Sequence, residues 1–305
     1  MRALQLQTRQ SRESFEAAVV NFNQALTLAP TFSSAATGLA YTYSDMGSEG
    51  WLPPHVAFER AREAALLGQK LDPTSPSPHI AMAEVHIVYD WDWAAAEKEL
   101  QQALAMGPRQ SRGAMDASLL AAARGLWAEA RQLGIEAVAI DPLNPSTHMA
   151  LGWNIYLHTN QFAEAEQSIR RGLEIAPQWG SARYFLGEAL MLQAHYDAAL
   201  AEFKEETLDD GHLEGSAMAL FALGSRADSD AQLAEAIHKN GESWPSEIAR
   251  VYAFRGEKDQ AFEWLDRAYN YRDEDLYMIK SDPLLKNIED DPRYKAFLRK
   301  MNLPE

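Results

Sequence analysis

Ala165-Glu166-Gln167-Ser168-Ile169-Arg170-Arg171-Gly172-Leu173-Glu174-Ile175-Ala176-Pro177 is the stretch that decides the fold. Small residues stand at 165 and 172, with the larger apolar Ile169 between them. These three residues share one face of a helix, and the small side chains there let a neighbouring helix approach closely. Pro177 then ends the helix, because it lacks an N–H group and its ring collides with the preceding turn. The stretch therefore predicts the second helix of a helix pair.

The same kind of pattern recurs along the chain, and each copy ends at a proline. Phe15, Ala18, Phe22 and Ala25 form the copy in the first unit, and later copies carry small residues at 96, 103, 130 and 137. The prolines are spaced about 34 to 43 residues apart, close to the 34-residue period of a helix–turn–helix array. They are Pro30, Pro73, Pro108, Pro142 and Pro177.

A second pattern marks the first helix of each unit. Leu39-Ala40-x-x-Tyr43-x-x-x-Gly47 recurs in short form as Leu151-Gly152 and Leu186-Gly187, and in full as Ile248-Ala249-x-x-Tyr252-x-x-x-Gly256. Because these copies stay in phase, the chain resembles the tetratricopeptide repeat family from about residue 14 to about residue 270. The resemblance implies an all-α, right-handed solenoid of about seven to eight helix pairs that binds other proteins.

The repeats divide the chain into eight units and a tail. The array covers residues 1–270, in units of roughly 1–30, 31–73, 74–108, 109–142, 143–177, 178–211, 212–240 and 241–270. Leu4 and Leu6 would anchor a short helix at the start of the first unit. In the tail, 271–305, Asp282 and Asp291 each precede a first-turn proline, as a helix cap does. We therefore expect the tail to cover the last repeat, as solenoids require.

Composition excludes several classes of protein. The 305 residues contain no cysteine, which excludes disulfides, thiolate zinc sites and cysteine nucleophiles. The net charge of −16 disfavours binding to nucleic acid; it either keeps an extended array soluble or favours a partner with basic residues. No apolar run is long enough to cross a membrane, and the opening residues are polar, unlike a signal peptide. We expect a cytoplasmic protein, with the periplasm as the alternative.

No catalytic motif is present in the sequence. It has no glycine-rich phosphate loop, no Gly-x-Ser-x-Gly elbow and no His-Glu-x-x-His pair. His79 and His86 lie seven residues apart without a third ligand, and residues 209–211 lack the alternating acids of a calcium loop and are interpreted as a solvated turn. We therefore predict no enzymatic activity, no metal and no cofactor. Trp91 and Trp93 are expected to plug a turn, with an aromatic cage or carbohydrate site as the alternative.

The resemblance also predicts the concave groove, because the first helices line it in tetratricopeptide arrays. The expected partner-binding residues are Tyr41, Tyr89, Met115, Met149, Trp153, Tyr156, Tyr184, Glu188, Met191 and Arg250. Aromatic and methionine side chains suit an adaptable peptide-binding surface, although they could equally pack against one another inside a tight superhelix. One subfamily grips chaperone C-termini with lysine, arginine and asparagine. The mainly apolar residues here depart from that pattern.

The last repeat and the tail resemble something more particular. Three stretches taken together are similar to the C-terminal repeat regions of bacterial signalling proteins: Tyr89-Asp90-Trp91-Asp92-Trp93, then Arg255-Gly256 with Ala261-Phe262-x-Trp264-Leu265-x-Arg267-Ala268-Tyr269, then Ser281-Asp282-Pro283-Leu284-Leu285 with Asp290-Asp291-Pro292-Arg293. Those regions follow a winged-helix DNA-binding domain, a nucleotide cyclase or a protein kinase. The resemblance implies the sensory or scaffolding part of a regulator. A stand-alone adaptor and a small-ligand sensor that uses the groove are the alternatives.

Overall fold

The computed structural model describes residues 11–206 and 209–303. Across these residues the protein is an all-α solenoid without any strand, as the repeat pattern predicts. Leu4 and Leu6, the expected anchors of a short first helix, lie outside the described residues.

Sixteen α-helices follow one another across the described residues, and from α2 onward consecutive helices form pairs. In each pair the even-numbered helix comes first. The helices are α1 (Arg12–Leu28), α2 (Ser33–Ser48), α3 (Pro54–Leu71), α4 (Ser77–Val85), α5 (Trp93–Met106), α6 (Ser111–Ala123), α7 (Trp127–Ile140), α8 (Pro145–Ala150), α9 (Phe162–Ile175), α10 (Ala182–Leu192), α11 (Tyr196–Glu205), α12 (Asp209–Ala222), α13 (Arg226–Asn240), α14 (Pro245–Phe254), α15 (Lys258–Tyr271) and α16 (Pro292–Lys300).

Small residues lie where the helices of a pair meet. Ala137 and Ala165 are fully buried, and a Cβ added to Gly152 would lie 3.0 Å from the carbonyl oxygen of Ala165. Serine hydroxyls reinforce the contact: Ser118 donates to the carbonyl oxygen of Ala130 at 2.6 Å. The small side chains of the repeat therefore allow the close approach that the sequence predicts.

Polar caps and prolines set the helix starts. Asp92 accepts a hydrogen bond from the backbone N–H of Ala95 at 3.0 Å, and α3 begins at Pro54, where a proline is tolerated in the first turn. The interpretation of 209–211 as a solvated turn is wrong, because α12 begins at Asp209. The sixth unit lacks the proline that ends the earlier units. Without that proline the backbone at 209–211 can adopt helix instead of a turn.

Two first helices widen into π-helix at their C-terminal ends. Helix α4 continues as a π-helix over His86–Asp90, and α8 continues as a π-helix over Leu151–Tyr156 and a short 3-10 turn over Leu157–Thr159. A π-helix shifts the hydrogen bonds from i→i+4 to i→i+5, so the side chains after it point in different directions from those of a regular helix.

The tail covers the last repeat and also returns to the concave side of the solenoid. Lys300 pairs with Asp266 of α15 at 2.9 Å, as a cap on that helix requires. Two 3-10 segments, Glu274–Ser281 and Pro283–Ile288, precede α16, and Tyr277 of the first donates its hydroxyl to Asn154 at 2.9 Å. Four consecutive residues of the first segment are buried: Leu276, Tyr277, Met278 and Ile279. The segment is therefore covered on more than one side, by the last repeat and by the concave side of the solenoid.

The superhelix closes on itself at the turn after α2. Glu49 accepts a hydrogen bond from the Ser181 hydroxyl at 3.4 Å, and a Cβ on Gly50 would collide with the indole ring of Trp244. The second unit therefore touches the sixth and the eighth, and the concave face becomes a central cavity.

Candidate functional site

The central cavity has a volume of about 470 Å³. The first helices α2, α4, α6, α8, α10 and α14 line it, together with the turn before α10 and the tail segment Glu274–Ser281. Because residues far apart in sequence meet here, the cavity exists only in the closed superhelix.

One wall of the cavity is aromatic. Trp153 and Phe185 stack with ring centroids 4.6 Å apart, and Trp179 and Trp244 line the cavity nearby. All four side chains are only half-buried, so each keeps apolar surface that a ligand could cover. Aromatic side chains of this kind contribute large contact area at low conformational entropy.

The opposite wall is acidic and carries one arginine. Arg112 donates from Nε and Nη2 to the two oxygens of Glu84, each at 2.8 Å, and from Nη2 to Asp45 at 2.8 Å. Its guanidinium also lies 4.2 Å from the centroid of the Tyr41 ring. Asp45 and Glu84 therefore accept most of the hydrogen bonds that the Arg112 guanidinium can donate.

Asp116, Glu274 and Asp275 also line the cavity, as do Glu49, Glu206 and Glu247. Burial raises the pKa of Asp116 well above its ordinary range, and the neighbouring charge of Glu84 adds to this. Burial likewise raises the pKa of Glu274 and of Asp275. The acidic wall thus holds more negative charge than its one arginine balances, and part of it is neutralised by bound protons.

A buried ion-pair network, here called the Arg250 cluster, supports the aromatic wall from behind. Arg250 contacts Glu188 at 2.7 Å, Glu247 at 2.6 Å and Asp282 of the tail at 2.7 Å. Glu188 also accepts a hydrogen bond from the Trp153 indole at 2.6 Å, and burial raises its pKa to about 8. The cluster therefore fixes the orientation of Trp153 and ties the tail to α10 and α14.

The ten predicted groove residues divide into three groups: those that line the cavity, those that are buried behind its wall, and two that lie elsewhere. Tyr41, Met115, Met149, Trp153 and Tyr184 line the cavity. Glu188 and Arg250 lie behind its wall in the Arg250 cluster, and Met191 is 2% exposed in the core.

Two of the predicted groove residues point elsewhere. Tyr89 stacks on Phe58 at 5.2 Å, and Tyr156 lies 5.9 Å from the guanidinium of Arg131. Neither lines the cavity. Both residues belong to the π-helical segments, whose wider turn moves them off the face that a regular helix would present.

The sequence analysis missed the acidic wall. Asp45 stands one helical turn after Tyr41, so helix spacing could have indicated it, whereas Asp116 directly follows Met115 and helix spacing gives no such signal for it. No local signal places Glu274, Asp275 or Tyr277 in the cavity, because the tail reaches it from more than a hundred residues away.

Other candidate sites have ordinary structural roles. His79 pairs with Glu99 at 2.6 Å and His86 with Asp90 at 2.7 Å, and among the described residues no three histidine or acidic side chains are arranged to hold a metal ion. Trp91 is 4% exposed beneath the guanidinium of Arg272, and Trp93 donates to the carbonyl oxygen of Asn302 at 3.0 Å. In the part of the chain described here, no helix is both long and apolar enough to span a membrane.

Comparisons with known proteins identify the class. The sequence profile of the tetratricopeptide repeat matches residues 145–178. Human IFIT1, solved as a dimer with m7Gppp-AAAA, superposes with a TM-score of 0.58 at 16% identity over 85% of this chain and 68% of that one. No curated protein sequence matches.

Two further solved structures share the fold. Cut9, from the APC/C hetero-tetramer Cut9–Hcn1, gives a TM-score of 0.62 at 12% identity and covers 93% of this chain and 54% of its own. Yeast Tom70 gives 0.51 at 17% identity and covers 98% and 66%. Residues 145–178 therefore match a tetratricopeptide repeat, and the chain as a whole shares the solenoid fold of these proteins. Its fold is that of a protein-interaction scaffold, and scaffolds of this kind are generally not enzymes.

Proposed function

We propose that this protein binds a segment of a partner protein in its central cavity. The observation that carries the proposal is the half-buried aromatic wall of Trp153, Trp179, Phe185 and Trp244. Folded proteins seldom leave several large aromatic side chains facing one space without a ligand to cover them. Such residues act as anchors when they lie in a concave, partly desolvated site.

The acidic wall indicates the charge of the partner. A segment with lysine or arginine beside its apolar anchors would complement both walls at once. The same acids would repel a phosphate backbone, so we propose a protein ligand rather than a nucleic acid.

The regulatory role follows from the tail. The motifs at 255–269 and at 281–294 resemble those of bacterial signalling proteins, and the structure joins the tail to the cavity through the Arg250 cluster. We propose that the protein is the sensory or regulatory repeat region of a cytoplasmic bacterial regulator. A winged-helix, cyclase or kinase domain encoded upstream of Met1 in the same reading frame would support this. An upstream stop codon would favour the stand-alone adaptor.

A small-ligand sensor is the second candidate. The contact of Gly50 with Trp244 closes the superhelix, and the resulting volume of about 470 Å³ lies in the range of small-molecule pockets. Thermal-shift measurements with a metabolite library test this candidate, because a specific ligand raises stability by mass action.

The decisive variant for partner binding is Trp179→Ala. Trp153 is a less suitable probe, because its indole satisfies the buried Glu188 and its removal would disturb the Arg250 cluster. Partners captured by the wild-type protein are identified, and their binding segments are then titrated as synthetic peptides. We expect Trp179→Ala to weaken binding by roughly thirtyfold or more, as the loss of an anchor residue does.

Phe32→Ala is the matched control, because Phe32 is 50% exposed and lies outside the cavity. It should bind as wild type does. Wild-type affinity in a folded Trp179→Ala protein would rule out this wall as the binding site.

A further inference from the structure

The acidic end of the cavity contains carboxylate oxygens that the fold leaves without a partner. Asp116 is 4% exposed and Glu274 is 8% exposed, and both side chains line the cavity. Asp116 Oδ2 and Glu274 Oε2 are buried and accept no hydrogen bond. A buried acceptor without a donor destabilises the folded protein, so a ligand that donates to these atoms would be bound favourably.

The acids around these atoms favour a cation as the ligand. Among the described residues, Arg112 is the one basic side chain that lines the cavity, and it is engaged by Asp45 and Glu84. Asp116, Glu274 and Asp275 therefore have no basic partner on the cavity wall. Burial is the main reason that the pKa of each of the three carboxyl groups is raised, and neighbouring acids add to it.

Aromatic rings stand beside these acids. Tyr277 lines the cavity together with these acids and follows Asp275 by two residues in the tail, and burial raises its pKa. Arg112 already stacks 4.2 Å from the Tyr41 ring in the same cavity. Acids and aromatic faces together are the surroundings that organic cations prefer.

The arrangement does not suit a metal ion. No three acidic or histidine side chains of the described chain are close enough to coordinate one. Asp116 comes from α6 and Glu274 from the tail, so the two acceptors belong to different elements of the fold. A group with several N–H donors can reach separated acceptors, whereas a metal ion needs its ligands at about 2.0–2.6 Å.

We propose that the acidic end of the cavity binds an alkylammonium or guanidinium group, which donates to Asp116 Oδ2 and Glu274 Oε2. The group arrives either on a free amine or on a lysine or arginine side chain of the partner segment. The second source rests on the proposed function and deepens it. In both cases the alkyl chain lies along the cavity toward the aromatic wall.

The test is calorimetric titration of the whole protein with defined probes. These are n-butylammonium, agmatine, and lysine and arginine blocked at both ends, with 1-butanol, Mg²⁺ and Ca²⁺ as comparisons. We expect at least one organic cation to bind and 1-butanol not to bind. Binding of free amines alone indicates a small ligand, and binding of the blocked amino acids indicates a partner side chain.

Asp116→Asn should weaken cation binding by about 10- to 100-fold, the effect of losing a charged hydrogen bond. Asp228→Asn makes the same change on the exposed surface of α13 and should leave the affinity unchanged. If Asp116→Asn does not fold, Asp275→Asn replaces it, because Asp275 also lines the cavity and is only half-buried.

Several results would overturn the proposal. The proposal fails if no organic cation binds at about 10 mM, or if 1-butanol binds as tightly as the cations. It also fails if a divalent metal ion binds and the amines do not, or if Asp116→Asn and Asp228→Asn bind the cation with equal affinity. The proposed function is tested separately. If the protein binds amines but captures no partner protein, this proposal stands and the proposed function fails. If a partner segment binds equally well after its lysine or arginine is replaced, a partner side chain is excluded as the source of the cation, and the free amine is not.

Discussion

Arg250→Met removes the one cation of the Arg250 cluster and keeps much of its volume. Arg250 joins α14 to Glu188 of α10 and to Asp282 of the tail, and each contact is 2.6–2.7 Å long. The contact with Asp282 is an ion pair without hydrogen-bond geometry at Nε. Arg250 is 6% exposed at its side chain, and the three acids are 0–9% exposed.

The expected loss follows from leaving buried acids without their counter-charge. Removing one partner of a buried ion pair costs about 3–5 kcal/mol. Here the acids can relieve part of that loss by binding protons, since the pKa of Glu188 is raised to about 8 even with Arg250 present. Without the guanidinium their pKa values rise further, so the variant recovers stability as the pH falls. We expect the full loss near pH 8 and a clearly smaller loss near pH 5.5.

The assay is urea unfolding of both proteins, followed by far-ultraviolet circular dichroism at the two pH values. Arg267→Met is the control, because Arg267 pairs with Glu263 on the surface, with exposed fractions of 53% and 60%. Exposed pairs contribute about 0–1 kcal/mol, so this variant should lose little. The reasoning fails if Arg250→Met loses no more than Arg267→Met, or if its loss is the same at both pH values.

Three further predictions test the fold. Ala165→Leu should overpack a helix contact and cost roughly 1–3 kcal/mol, and an unchanged urea midpoint would mean that the repeat register is misplaced there. Gly50→Ala should destabilise the protein more than Gly224→Ala. Both glycines have positive φ, but only at Gly50 would the added Cβ collide with Trp244. Equal losses of melting temperature in the two variants would argue against closure of the superhelix. The melting temperature should fall between about pH 6.5 and pH 8, because buried acids such as Glu188 keep protons in the folded protein that the unfolded chain has released. A flat or rising profile over that range would contradict the raised pKa values.

The cavity shows where inference from the sequence reached its limit. Helix phase gave Trp153, Tyr184 and Met149, because a regular first helix repeats its inner face every three to four residues. The same reasoning misplaced Tyr89 and Tyr156, since the sequence carries no sign of the π-helical turns that redirect them. It also assigned Glu188 and Arg250 to the groove, whereas three-dimensional packing buries them in an ion-pair network behind it.

By itself the sequence determined the class of the protein: small residues in phase and prolines at a constant period specify helix pairs that can only bury their faces by stacking. These signals are local, because each depends on one helix and the next. Tertiary structure alone decided that the superhelix closes, that Trp244 meets the turn at Gly50 and that the tail brings Glu274 into the cavity that Asp116 also lines. Closure is the sum of small rotations between successive repeats, and no single stretch of sequence encodes that sum.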